Sequence, residues 1–164
     1  MNSKTCTTCN EDFPENAFRQ GSNDECVWCQ WDSSEKRARA RHKDKLKNDK
    51  ARALKAASNG NSTEMKLQIS EEDFVSWYVS SPDTCHYCGI SMAEVKKLRL
   101  RRGGFGYFVS WDIDRKDSNK PYQAGNLALS CFMCNMAKGA HFTEAEAKTL
   151  GQAIRSITQE RLKL

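Results

Sequence analysis

Asp114 and Asn135 offer a carboxylate and an amide oxygen from either end of a stretch that folds back on itself. With water and phosphate completing the shell, such a pair is a hard-oxygen site suited to a magnesium-like ion. The frame is Trp111 to Gly139, WDIDRKDSNKPYQAGNLALSCFMCNMAKG. Trp111 and Ile113 alternate with Asp112 and Asp114, the period of two expected of a half-buried strand. Lys116 to Gly125 is rich in Asp, Ser, Asn, Pro and Gly and reads as a loop. Leu127 and Leu129 begin a second alternation, and Cys131 to Lys138 runs on into a helix. Asp114 at the strand exit and Asn135 in the early helix are therefore expected to face one small cavity.

Sulfur is the second chemical resource. All eight cysteines fall in Cys-x-x-Cys pairs: Cys6/Cys9, Cys26/Cys29, Cys85/Cys88 and Cys131/Cys134. Met1 to Asn10 is polar, without the apolar run of a secretory signal, so a disulfide framework is not expected. Each pair presents two thiolates from one tight turn, the pattern of a structural zinc ligand set. Cys6, Cys9, Cys26 and Cys29 have zinc-ribbon spacing. Cys85, Cys88, Cys131 and Cys134 bracket the two strands. Two structural zinc ions per chain are expected, each with four sulfur ligands and no open position. Only 38% of residues are hydrophobic, so a modest core needs such staples. No run approaches the length of a membrane span, and a cytoplasmic, intracellular setting in a bacterium or phage is expected.

Charge is uneven. Lys36 to Lys55 carries ten Lys or Arg against Asp44 and Asp49, a local +8 in a chain whose net charge is +5. That asymmetry suits a polyanion. The segment over residues 33–57 has good helix formers, no Gly or Pro, and Ser33 or Ser34 as a cap. Its large apolar residues are Leu46 and Leu54, so it is expected as a solvated arm or along DNA phosphates, with Arg37, Arg39, Arg41 and Lys43 in contact. Ser58 to Ser62 is a breaker. The implied organisation is an N-terminal four-cysteine module over 1–32, a basic helical arm and linker over 33–62, and a core over 63–164. Arg99, Arg101 and Arg102, leading into Gly103 and Gly104, form either a groove-reading loop or a hairpin turn. Ser91 and Glu94, and Thr143 and Glu146, form capping boxes. Ala147, Leu150, Ile154 and Ile157 mark a packing face on a helix over roughly 144–160.

The stretch from Asp114 to Asn135, with its Cys-x-x-Cys pairs, resembles the ββα-metal core of HNH endonucleases. The resemblance implies an α+β fold: a small zinc-stapled core with a zinc-ribbon-like module and a basic helical arm. It also implies that Asp114 and Asn135 hold a catalytic divalent ion, of magnesium type, while Asn126 braces the loop. The residue after the Asp, usually a general-base His, is Arg115 here. Arginine keeps its proton at any ordinary pH, so it suits a phosphate oxygen instead. The base then comes from Tyr122, His42 or His141. Tyr122 is favoured because it sits in the loop that this family folds over the site, although a tyrosine ordinarily titrates near pH 10. Lys138, one turn beyond Asn135, is either a second phosphate contact or a surface lysine.

The expected activity is site-specific, restriction-like hydrolysis of phosphodiester bonds in double-stranded DNA. Cutting both strands of a palindrome takes two sites related by a two-fold axis, hence a homodimer. The alternatives are a phage or homing-type nickase and a non-catalytic zinc-finger DNA-binding module.

Overall fold

The computed structural model describes residues 3–18, 20–21, 23–29, 35–61, 64, 66–101, 106–107 and 110–163. Ser33, Ser34, Ser62, Arg102, Gly103 and Gly104 lie outside the described residues.

The fold is α+β, in two small hairpins, five α-helices and a short 3-10 turn (Glu15–Ala17) among the described residues. The N-terminal hairpin pairs β1 (Ser3–Thr5) with β2 (Asp12–Pro14), placing Lys4 opposite Phe13. Phe13 and Trp28 are its buried aromatics, with ring centroids 5.1 Å apart. They seat the module on the rest of the chain. The Trp28 ring lies 4.8 Å from that of Tyr107, tilted by 56°, and the Tyr107 hydroxyl donates to Asn16 Oδ1 at 3.1 Å. Arg99 donates to the Asp12 carbonyl at 3.1 Å and lies over the Phe13 ring. It is therefore engaged at this junction, while Arg101 lies 5.1 Å over the Tyr107 ring.

Helix α1 (Glu35–Ser58) follows the sequence expectation in extent but not in setting. It has an inward stripe, and that stripe is mostly polar. Ala38, His42 and Asp49 are buried, and Lys45 and Arg52 fall between and beyond them at alternating steps of three and four. Positions so spaced share one helix face. Lys36, Lys43, Lys47 and Lys50 are exposed on the other side. The inward face packs on α2 (Glu71–Ser80), with the His42 ring 5.4 Å from Phe74 and Arg39 paired to Glu71 at 2.9 Å. Ser70 caps α2 by accepting from the Asp73 amide at 3.1 Å, and Phe74 and Tyr78 are buried on the face their spacing predicts.

Strand β3 (Asp112–Arg115) pairs antiparallel with β4 (Leu127–Ser130), setting Asp112 opposite Ser130 and Asp114 opposite Ala128. Helix α4 (Phe132–Lys138) follows at once, its first turn capped by the Cys131 sulfur, which accepts from the Cys134 amide at 3.4 Å. The Cys85–Cys88 knuckle closes with Gly89 at φ +70°, a conformation glycine adopts without strain. It hangs on β4 through the His86 amide, which donates to the Leu129 carbonyl at 2.8 Å. Helix α3 (Met92–Lys97) opens on the Ser91/Glu94 capping box. Thr143 and Glu146 exchange the same reciprocal bonds ahead of α5 (Glu144–Lys163).

The face of α5 that packs differs from the apolar pattern. Ala147, Gly151 and Thr158 are buried and Ile154 partly so, whereas Ile157 is 52% exposed and Leu150 lies at the surface. Gly151 explains the rotation. A Cβ there would stand 2.5 Å from the Tyr87 carbonyl oxygen and 3.1 Å from the Cys88 nitrogen, so the helix backbone rides directly on the knuckle. Gly151→Ala is expected to destabilise the fold by about 1–3 kcal/mol through overpacking, despite alanine's better helix propensity. A lowered unfolding midpoint in urea checks this, and an unchanged or raised one contradicts it.

Candidate active site

A cleft of about 440 Å³ opens between α1, the 66–67 segment, β3 and α4. Asp112, Asn135, Tyr122, Lys45 and Arg41 line it. Strand β3 and helix α4 put their polar faces together. Asp112 and Asp114, two residues apart, share one side of the strand, and Asn135 and Lys138, three apart, share one side of the helix.

The pairing across that interface is shifted from the sequence expectation. Asn135 Nδ2 donates to Asp112 Oδ2 at 2.9 Å. Asp114 lies one pleat further along, 8% exposed, and its Oδ2 accepts from the Tyr87 hydroxyl at 2.5 Å and faces Lys138 Nζ at 3.3 Å. Burial, and then the Asp114 carboxylate itself, push the Tyr87 hydroxyl far above its ordinary range, so it stays a donor. Among the described residues neither Asp114 Oδ1 nor Asn135 Oδ1 takes a hydrogen bond. Asp114 on β3 and Asn135 on α4 thus each keep one oxygen of the kind that hard divalent cations take.

Lys138 is not a surface lysine. It is 0% exposed, and its Nζ donates to the Arg115 carbonyl at 2.8 Å and Ser118 Oγ at 2.9 Å besides facing Asp114. A buried ammonium is retained only where oxygens replace its water, and Ser118, Arg115 and Asp114 do so. The expected phosphate contact is thereby corrected. Lys138→Ala strands the buried Asp114 charge and is expected to cost about 3–5 kcal/mol of stability, read by denaturant unfolding. An unchanged midpoint with weakened DNA retention would return Lys138 to the surface role.

Tyr122 is half-buried in the cleft wall. Lys45 Nζ sits 4.0 Å over its ring and the Arg115 guanidinium 5.2 Å from its centroid. Lys45 also donates to the Ile113 carbonyl at 3.0 Å, and Arg115 to the Lys120 carbonyl at 3.1 Å. Asn126, 6% exposed, closes the loop: its Oδ1 accepts from the Asp117 amide at 2.9 Å and its Nδ2 donates to the Asp117 and Pro121 carbonyls. His42 is placed elsewhere. It is buried between α1 and α2, with Nε2 donating to the Ile69 carbonyl at 3.2 Å. His141 lines a separate cavity with Asn119 and Phe142. Of the candidate bases, Tyr122 is the one in the cleft. Arg41 is also spent internally, donating to Ser110 Oγ at 2.6 Å and the Trp111 carbonyl at 3.0 Å.

Asp112, Lys45 and Tyr87 are additions to the expected set. A signal existed for Asp112, since the period of two places it beside Asp114. For Lys45 the signal is its place three residues after His42 and four before Asp49, on the same helix face. Tyr87, between two cysteines, had none.

The cysteines gather as expected. In each group, Cys6/Cys9/Cys26/Cys29 and Cys85/Cys88/Cys131/Cys134, the four sulfurs lie within 4.8 Å of one another. Zinc–thiolate bonds of ~2.3 Å put sulfurs about 3.8 Å apart in a tetrahedron, and Cys88 and Cys131 Sγ are 3.8 Å apart. The neighbouring Cys131, Cys85 and Cys88 thiols, and burial, push the Cys134 thiol well above its usual range, so four thiolates share this space only around a cation. Both groups fit zinc.

No family model and no curated protein matches the sequence. Among solved structures, that of the rare-cutting HNH restriction endonuclease PacI is similar at 25% identity. The match covers 96% of this chain and 97% of that one, with a TM-score of 0.54. No helix among the described residues is long and apolar enough to cross a membrane. Hairpin, capped helix and paired cysteine groups together give this chain an α+β fold with two four-cysteine groups that fit zinc, similar over nearly its whole length to the fold of the HNH restriction endonuclease PacI.

Proposed function

We propose that the chain is a metal-dependent endonuclease that cuts double-stranded DNA at specific sites as a homodimer. The reading rests on one convergence: Asn135, Asp112 and Tyr122 meet in a cleft beneath a basic helix, on a fold similar to an HNH restriction endonuclease.

Asp114 Oδ1 and Asn135 Oδ1 would hold a divalent ion of magnesium type, with Asp112 accepting from the Asn135 amide nitrogen and so fixing which end of the amide is left for the ion. Such an ion supplies Lewis-acid polarisation of the scissile phosphate and stabilises the leaving 3′ oxygen. Arg115 steadies the extra negative charge of the phosphorane-like transition state. Tyr122, acting as the phenolate, takes the proton of the attacking water at its phenolic oxygen and becomes neutral, and the two cations flanking its ring offset the charge of the phenolate form. The exposed stripe Lys36, Lys43, Lys47 and Lys50 lies along the DNA backbone, where each neutralised phosphate releases counterions.

Supercoiled plasmid incubated with the protein and magnesium is expected to yield discrete linear fragments. Open circles alone would overturn the two-site dimer, and intact plasmid would overturn the nuclease reading. Tyr122→Phe should lower single-turnover cleavage by about 10²- to 10⁴-fold, the usual contribution of a positioned base, with DNA retention unchanged. Near-native turnover would remove Tyr122 from the role.

A further inference from the structure

Tyr122 belongs to a loop, yet both of its main-chain polar groups are committed. Its amide donates to the Lys66 carbonyl at 2.6 Å, and its carbonyl accepts from the Gln68 amide at 2.9 Å, so Leu67 pairs with it in a parallel bridge. A two-residue bridge has no sheet to stabilise it. Something else holds the 66–69 segment in place.

That something is the inward stripe of α1. Asp49, 7% exposed, spends one oxygen on each side: Oδ2 accepts from the Leu67 amide at 2.9 Å, and Oδ1 accepts from Arg52 Nη2 at 2.6 Å. Arg52 Nη2 also donates to the Glu64 carbonyl at 2.7 Å. Two turns earlier His42 donates to the Ile69 carbonyl. The helix thus grips the segment at 64, 67 and 69, and the segment grips Tyr122. Burial on its own would raise the Asp49 carboxyl; Arg52 and the Leu67 N–H outweigh it and hold the group below the ordinary carboxylate range, so the charge that makes this grip is present at neutral pH.

We propose that Asp49 is a positioning residue for Tyr122, acting through Arg52 and the main chain of Leu67 to set the segment that clamps the tyrosine into the cleft. The basic helix is then a structural member of the site as well as a charged surface. The positioning itself stands on geometry, and its consequence for cleavage rests on the reading of Tyr122 as proton acceptor.

Asp49→Ala, Tyr122→Phe and the double variant, made in the full chain, separate the two. Zinc content and amide exchange are measured by mass spectrometry, and cleavage in single turnover. Asp49→Ala is expected to speed exchange at Leu67, Gln68 and Tyr122 by at least about tenfold while the β3–β4 hairpin and both zincs are retained. Cleavage should fall, and the double variant should cut no more slowly than Tyr122→Phe. Unchanged exchange around Tyr122 overturns the proposal, as does a loss in the double variant equal to the product of the two single losses. Faster exchange with native cleavage leaves the positioning standing and overturns Tyr122 as the base instead. Should the alanine variant not fold, Arg52→Met tests the same link with the same outcomes.

Discussion

Asp114→Ala is expected to abolish DNA cleavage. A metal ligand supplies several kcal/mol of transition-state stabilisation. At 1.36 kcal/mol per tenfold, its loss slows single-turnover cutting by on the order of 10³ or more. The structure adds a cost that the sequence did not disclose. Asp114 Oδ2 is the acceptor for the Tyr87 hydroxyl and the counter-charge of Lys138, so alanine leaves a buried donor and a buried ammonium unpaired. Loss of activity in that variant must therefore be separated from loss of fold. Asp114→Asn does so, because it keeps the volume and an acceptor for Tyr87 while giving up the anionic ligand. The Asp114→Asn protein should retain DNA and two zincs, and neither variant should cut. A folded Asp114→Asn protein that cuts at close to the native rate in magnesium would refute Asp114 as a ligand.

Removing the second four-cysteine group is expected to dismantle the same site without touching a catalytic side chain. Cys131 is both a member of that group and the cap of α4, whose Cys134 amide it accepts. Binding one structural zinc in a small module is worth about 10–16 kcal/mol, comparable to the whole stability of an ordinary domain. Cys131→Ala should therefore lower the zinc content from two per chain to one and abolish cooperative unfolding of the core. Cleavage should vanish and not return at any magnesium concentration, because α4 no longer holds Asn135 and Lys138 against β3. Metal analysis together with a thermal melt reads the outcome. A variant that melts and cuts like the parent would show that the group does not hold the site together.

These two expectations differ in how much of them was legible in advance. The hairpin, the capped helix and the two cysteine groups announce themselves through local rules: alternation, loop composition, a fixed spacing of thiols. The interior of the site does not. Lys138 reads as a phosphate contact or a surface lysine because nothing near it in sequence reveals that the Arg115 carbonyl, Ser118 and Asp114 wait for it across the fold. The spacing predicts an α5 face of Ala147, Leu150, Ile154 and Ile157, yet the glycine that approaches the knuckle keeps Ala147 and Ile154 inward and turns Leu150 and Ile157 to the surface. His42 had the favourable intrinsic pKa of a base but is spent on the Ile69 carbonyl.

The sequence by itself determined the zinc-stapled α+β frame, since metal-ligand spacing and strand period act over a few residues and tolerate no other reading of comparable consistency. Only the tertiary structure decided that α1 is built into the core and that Asp112 rather than Asp114 meets Asn135. The reason is physical: an apolar stripe is visible because its residue types disclose their burial, whereas a polar stripe is buried by main-chain carbonyls and amides from distant segments, and those partners are the same in every residue.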